Sequence, residues 1–391
     1  MLGMNLVVPF LPFFVRELGV VDDADVALWS GIAFSGTFLS AFIATPFWGI
    51  LGDKYGRKAM VIRAIFGLAL SQVIIGLSQD VYQLVAFRVL QGGISGFIAS
   101  SLALVATNTP RDRIGYALGV LQSSTASGMV LGPLVGGLLA DHIGYRSIFF
   151  ITALLCGAGG IVVLTSVRET SSPVSGAERF TVSDNIRLMY RNRQLAMVGI
   201  CLVVAQMAVL MIEPIFALFV ESFNVETEYL STLTGAIFSI AGVFMIVSAP
   251  GWGRRNDRFG QRRNLTFALA GASAAYAGHM FVANLFQLGI LRAFLGFARG
   301  AVLPGLYSLV SLHAPVERRG GIMAIASSLT LLGNSAGPLL GGFTASRFGI
   351  RTSFMVASTI LLLLSFVVWR TFTDKPANIP GSHQPLPEER Y

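Results

Sequence analysis

Gly49-Ile-Leu-Gly-Asp53-Lys-Tyr-Gly56-Arg57-Lys58 returns 204 residues later as Gly253-Arg-Arg-Asn-Asp257-Arg-Phe-Gly260-Gln-Arg-Arg263. Each copy is a short basic turn between two apolar runs. The glycines permit a tight turn and close helix contact. The carboxylate can face a neighbouring helix N-terminus, and the arginines can pair across a seam. One such turn reads as an ordinary basic loop; two at matched depth indicate an internal duplication. Working outward, Pro9/Pro214 repeat at 205, Arg88/Arg292 and Gly92/Gly296 at 204, and Gly128/Gly333, Gly132/Gly337, Pro133/Pro338, Gly137/Gly342 and Arg146/Arg351 at 205.

The runs between these markers are apolar. Of 391 residues 54% are hydrophobic and 12% charged, against roughly 45–50% and 25% in soluble domains. Spans are predicted at 1–15, 27–50, 59–78, 82–105, 115–140, 147–167, 195–219, 230–251, 264–283, 286–310, 321–343 and 352–371, each close to the roughly 20 residues that cross a bilayer. Little chain is left for a soluble domain. If the Asp53 turn is cytoplasmic, that side collects 21 Lys and Arg residues against 4 opposite, with Arg88, Arg292 and Arg299 inside spans. The positive-inside bias therefore predicts both termini on the cytoplasmic side. The formal charge of +8 reports topology and calls for no nucleic acid.

The longest interruption, 168–194, carries Ser, Pro, Gly and five arginines and reads as a cytoplasmic linker. The expected fold is an all-α integral membrane protein of two six-helix bundles, 1–167 and 195–371, with a disordered cytoplasmic tail at 372–391. Six is even, so both bundles run the same way, related by a pseudo-two-fold axis along the membrane normal with a site between them. Span seven starts about ten repeat positions before Met1, so span one is short of apolar residues before Arg16; the natural reading frame is expected to begin upstream. No basic segment precedes that run to make it a signal peptide. Cys156 and Cys201 lie inside apolar stretches, and neither a disulfide framework nor a metal site is implied.

Three sets of residues carry a resemblance to the major facilitator superfamily over essentially the whole chain. The two basic turns (Gly49, Asp53, Gly56, Arg57, Lys58; Gly253, Asp257, Gly260) look like its motif A. Leu84-x-x-x-Arg88-x-x-Gln91-Gly92 on span four looks like motif B. Gly128-x-x-x-Gly132-Pro133-x-x-Gly136-Gly137 on span five matches motif C, and recurs as Gly333-x-x-x-Gly337-Pro338-x-x-Gly341-Gly342 on span eleven. With Val8-Pro9-Phe10-Leu11-Pro12 on span one, the chain is most similar to twelve-helix drug:proton antiporters, particularly the MdtG-like multidrug efflux group. The resemblance implies the major facilitator fold, a bacterial cytoplasmic membrane, export by proton antiport, and Asp53 and Asp257 bracing one conformation. One departure concerns the partner of Arg57: where the family often has an acid at the end of span four, this chain has Asn108, with Asp112 four residues on.

Ionisable side chains inside spans are costly, at least ~2.5–3.5 kcal/mol near the bilayer centre, and are functional candidates by default. Glu213, beside Pro214 and one repeat from Val8, can carry a proton or hold a cationic substrate in alternation, or serve as a fixed structural ion pair. Arg299 near the middle of span ten is its obvious partner, since the resemblance places spans seven and ten at the cavity. Arg88 and Arg292 lie about one turn from their helix ends and can snorkel. The resemblance assigns Arg88, with Gln91, to proton coupling; Arg292 lacks the following Gln and reads as structural. Asn5, Gln122, Gln206 and Asn334 can line a site or bond between helices. His279, near the end of span nine, reads as structural.

The leading expectation is a secondary active transporter that exports drug-like small molecules by proton antiport through alternating access. A few of the 29 Phe rings would face such substrates. The alternatives are an exporter of one endogenous metabolite or siderophore, or a proton-coupled importer, which the doubled motif C disfavours. A G-x-S-x-G occurs only as Gly333-Asn-Ser335-Ala-Gly337, inside an apolar span where no strand-to-helix turn is expected, and no P-loop or H-E-x-x-H occurs, so enzyme chemistry has no motif in its proper context here. No cofactor is expected. The expected partners are substrate, protons and the lipid bilayer, around a monomer.

Overall fold

The computed structural model describes residues 2–110, 113–167 and 182–373. Among them no strand forms, and the helices follow the apolar runs. Span one is Leu2–Val7, a 3-10 turn Val8–Phe10, and Leu11–Glu17. Spans two and three are Asp23–Tyr55 and Arg57–Gly76. Span four is Val81–Ile94 then Phe97–Asn108, and spans five and six are Ile114–Ile143 and Tyr145–Ser166. A short helix, Val182–Arg191, leads into span seven: Arg193–Leu210, a 3-10 turn Glu213–Ile215, and Phe216–Glu221. Spans eight and nine are Leu230–Phe259 and Gln261–His279. Span ten is Leu285–Arg299 then Val302–His313, and spans eleven and twelve are Arg319–Phe348 and Ile350–Thr371. The remaining parts of the expected linker and tail, 168–181 and 374–391, lie outside the described residues.

Nine helical stretches among the described residues are long and apolar enough to cross a membrane. The other three transits are spans one, four and nine. Span one is short and interrupted, span four is cut at Ser95-Gly96, and span nine opens on Arg262 and Arg263 and is built largely of Ala, Gly and Ser. The turns before four of the crossings are capped locally. The side chains of Asp22, Asp80, Asn192 and Asn284 accept backbone N–H groups of the first turns of spans two, four, seven and ten, satisfying donors that lipid cannot. Four pairs of spans are joined by one glycine each. Gly56, Gly144, Gly260 and Gly349 have φ of 91°, 79°, 86° and 86°, a region costly for any residue with a Cβ.

The duplication is visible in the bonds. The Trp48 indole N–H donates to Gly93 O at 2.8 Å and that of Trp252 to Phe297 O at 2.7 Å. Arg146 donates to Gly76 O and Ser78 O, and Arg351 to Met280 O and Val282 O. The tryptophans and their acceptors both repeat at 204, and the arginines repeat at 205 with acceptors at 204.

The two halves pack chiefly through span two against eleven and span five against eight. Glycines set the approach. A Cβ on Gly31 would strike the carbonyl of Pro338, and one on Gly235 the carbonyl of Pro133. Ser35 and Ser335 meet at 3.1 Å, and the Ser239 hydroxyl donates to Val130 O at 2.6 Å. Towards the face carrying Arg16, here called distal, Asp141 of span five accepts the N–H groups of Ser231 and Thr232 at 3.0 and 2.7 Å, capping span eight from the opposite half. Tyr145 and Ser231 share a bond of 2.9 Å. Arg16 grips Glu221 at 2.6 and 2.7 Å and Asp23 at 2.5 Å. Arg16 and Glu221 are 205 residues apart, the repeat itself, so they pair across the pseudo-two-fold axis. The deepest of these bonds, at Ser35, lies roughly 18 Å along span two from its distal end. The seam is closed from there to the distal face.

Candidate functional site

Two broken helices meet at the one charge pair that the described residues place in the interior of the bundle. Pro214 has no N–H to return to Leu210 O, which weakens the helix there, and the chain tightens into the turn Glu213–Ile215. Span ten is broken at the matching depth, where Leu285–Arg299 ends at Gly300. Glu213 Oε1 lies 3.9 Å from Arg299 Nη2, with side chains 21% and 20% exposed. Polar groups at helix breaks need partners inside the protein, because lipid offers none. At 3.9 Å the pair is electrostatic and looser than a charge-assisted hydrogen bond of roughly 2.7–2.9 Å. A loose, mostly buried pair is one that a proton or a ligand can separate.

Arg88 and Gln91 also come together. Gln91 Oε1 accepts from Arg88 Nη1 at 3.3 Å, and the guanidinium lies 5.9 Å from the Phe34 ring. Arg292 packs over Phe216 at 3.4 Å and beside Phe238 at 5.4 Å. Both arginines are buried in the bundle, at 7% and 3% exposure, so neither snorkels. Nε and Nη2 of each are buried without a hydrogen-bond partner. Stacking on an aromatic face offsets part of that cost.

The motif C glycines divide into two sets. Gly132 and Gly136 lie against Asn5 and Leu6 of span one, and Gly333, Gly337 and Gly341 against Val203, Met207 and Met211 of span seven. These bring each bundle's centre line onto its broken helix. Gly137 instead faces Ser231 of span eight, and Gly342 faces Ala27 and Gly31 of span two; these two set the seam. Gly128 is buried on the same helix, and Pro133 and Pro338 are accommodated without interrupting spans five and eleven. Small residues at such contacts let backbones approach closely, as helix association in lipid requires.

At the motif A turns the backbone is described, and the side chains of Asp53 and Asp257 lie outside the description, as does Asp112. A Cβ on Gly49 or Gly253 would meet nothing within 4 Å, so those two glycines are not required by packing in this conformation. Lys58 donates to Leu164 O at 2.9 Å. Of the neutral polar candidates, Gln206 donates to Asn334 at 2.9 Å between spans seven and eleven, Asn5 lies under Gly132, and Gln122 is exposed.

Sequence reasoning missed two groups. The Arg16–Glu221 pair was within reach, since opposite charges one repeat apart must face each other near an axis. The setting of Tyr276 and His279 on span nine was not. Tyr276 is 1% exposed and its hydroxyl donates to Val209 O at 3.3 Å. His279 is fully buried, stacks on Phe354 at 5.0 Å, and donates from Nδ1 to Ala275 O. Nothing in the apolar pattern of span nine says which face it turns to span seven.

Comparison with known proteins agrees with this architecture. The family model described as Major Facilitator Superfamily matches residues 1–285 and 200–388. The multidrug resistance protein MdtG of Escherichia fergusonii is 37% identical over 369 residues, 94% of this chain and 90% of that protein. That of Proteus mirabilis is 36% identical, over 94% and 92% of the two. Among solved structures, a mutant of the nucleoside transporter NupG superposes with a TM-score of 0.79 at 13% identity, over 95% and 97% of the two chains. A bacterial homologue of the human lysosomal transporter Spinster, inward-facing and occupied, gives 0.78 at 16%, over 95% and 94%. The fold, the two-fold repeat and these relatives lead to one conclusion: the chain belongs to the Major Facilitator Superfamily.

Proposed function

We infer that this chain exports drug-like small molecules from the bacterial cytoplasm across the inner membrane, driven by protons moving inward. The observation that carries the reading is the Glu213–Arg299 pair, loose at 3.9 Å and set where two broken helices meet. The relatives named as multidrug resistance proteins support the substrate class. The excess of arginine and lysine on the motif A side supports a cytoplasmic position for that side and for both termini. In this conformation the distal seam is shut, so substrate enters from the cytoplasmic side.

The cycle follows from competition at one carboxylate. Arg299 holds Glu213 in the resting state. Substrate entering from the cytoplasm separates the pair, the halves rock about the glycine contacts of spans two, five, eight and eleven, and Glu213 takes a proton from outside as substrate leaves. Return to the present state releases the proton inward and restores the pair. Arg88 with Gln91 is the second coupling element, and Asp53 and Asp257 brace the cytoplasmic turns when that side closes. At roughly 150 mV one charge moving inward supplies about 3.5 kcal/mol, enough for a few-hundred-fold gradient of a neutral substrate. A monomer in the bilayer suffices for this cycle.

The test is substrate-triggered proton release in everted vesicles carrying a pH-sensitive dye, with wild type and Glu213→Gln and a panel of drug-like compounds. Release in the wild type that vanishes in the variant supports the reading. Release that survives the variant moves the proton elsewhere, and a wild type silent with every compound favours a narrow metabolite exporter.

A further inference from the structure

Span seven is held at its break by a side chain of another helix. Its last α-helical backbone bond before the turn runs from Met211 N–H to Met207 O. Beyond it, Pro214 has no N–H to offer Leu210 O, and the carbonyl one turn before Glu213, that of Val209, receives the Tyr276 hydroxyl at 3.3 Å. Tyr276 and Val209 are buried, at 1% and 3% exposure. The Tyr276 ring is fixed between Phe354, at 6.2 Å, and His279, at 6.0 Å. Glu213 follows Val209 by one helical turn on span seven, and Arg292 and Arg299 lie on span ten, which packs against span nine. At the equivalent position of the first half the chain has Gln72.

We propose that Tyr276 is a positioning residue of the coupling site: its hydroxyl holds the break of span seven in the distal-closed state and turns to the Glu213 carboxylate when Arg299 lets go. This rests on the reading of Glu213 as the proton carrier. A phenolic hydroxyl is suited to the role because it rotates about one bond and donates equally well to a carbonyl or a carboxylate. Its ring stays anchored by aromatic neighbours while the hydroxyl changes partner. Exchange of acceptors would let Glu213 leave Arg299 without being stranded in a dry interior, where an unpaired charge is expensive.

Spin labels at V21C and V225C, on the distal turns of the two halves where Val21 is 89% and Val225 40% exposed, report distal opening without any substrate. The experiment uses full-length protein carrying C156A and C201A in liposomes, with label distances measured across a pH series. In the background protein the distal-open fraction follows pH, and in Glu213→Gln it does not. Tyr276→Phe is expected to move the midpoint by about half to one pH unit, the size of one hydrogen bond gained or lost at the carboxylate, and to have no further effect in combination with Glu213→Gln. A Tyr276→Phe midpoint equal to the background, with or without lower thermal stability, overturns the inference while leaving Glu213 in place. A background protein that ignores pH, or a Glu213→Gln variant that still follows it, overturns the reading beneath. If Tyr276→Phe does not fold, 3-fluorotyrosine at 276 keeps the ring and strengthens the donor; an unmoved midpoint there counts equally against the proposal.

Discussion

The two halves are the same object built twice, with the interior acid–base pair of the described residues placed in one of them. Phe14 and Phe149 meet at 4.7 Å in the first half, and Phe219 and Phe354 at 4.7 Å in the second, one repeat apart. The breaks of spans one and seven coincide, at Val8–Phe10 and Glu213–Ile215, as do those of spans four and ten. Yet where the second half has Glu213, Tyr276, His279 and Arg299, the first has Val8, Gln72, Ile75 and Ser95. The break therefore accompanies Pro9 and Pro214 in both halves, with or without a charge, and the charge is an addition to it. On the proposed function, keeping the charge pair in one bundle lets a single protonation bias a movement that needs both.

The largest effect expected from breaking this asymmetry is at Arg299. Arg299→Gln leaves Glu213 mostly buried without its partner, a penalty of up to ~3–5 kcal/mol in a dry site. Substrate-driven proton release should fall at least tenfold, whereas Ser95→Gln at the equivalent place in the first half should leave it near wild type. Next comes the seam. Gly342→Leu forces a side chain into Ala27 and Gly31 of the other half, costing about 1–3 kcal/mol. It should cut transport and lower the melting temperature in detergent, while Gly157→Leu, with nothing within 4 Å, should do neither.

The pair on the axis offers a sharper test of symmetry. Arg16→Glu or Glu221→Arg alone sets like charges against each other and loses a partly exposed bond, worth about 1 kcal/mol, and should raise the distal-open fraction several-fold. The double swap places opposite charges back across the axis and should restore it, although Asp23 then faces a glutamate and recovery should be partial. The smallest effect is at the caps. Asp80→Ala and Asn284→Ala each remove an N-cap at equivalent positions and should cost about 1 kcal/mol apiece. Near-equal shifts in thermal unfolding would confirm that the scaffold repeats energetically as well as geometrically.

Most of the scaffold could be read from residues alone, because lipid forces it. Apolar runs of the right length, glycine and proline at a fixed offset, and basic turns on one side identify crossings and duplication before any coordinate. The packing roles of Gly136, Gly137, Gly341 and Gly342 follow the same logic, although which glycine faces its own bundle and which the other half is a matter of helix rotation. Rotation is also what hid the rest. Tyr276 sits in a run of small residues with no amphipathic face to orient it, and the hydroxyl matters through a carbonyl that no side-chain pattern records. The breaks in spans four and ten fall at Ser95-Gly96 and Gly300-Ala301, where glycine permits an interruption that sequence does not demand. Glu213 and Arg299 could be paired by depth together with the resemblance that places spans seven and ten at the cavity; their 3.9 Å separation could not be read.

The central claim, that one carboxylate in the second half couples the movement of both to protons, is tested most directly by separating exchange from uphill transport. Glu213→Gln protein in liposomes, given a substrate that the wild type accumulates against an imposed proton gradient, is measured for accumulation and for equilibrium exchange. The account predicts that exchange persists near the wild-type rate while accumulation is lost. Accumulation retained at the wild-type level would contradict it.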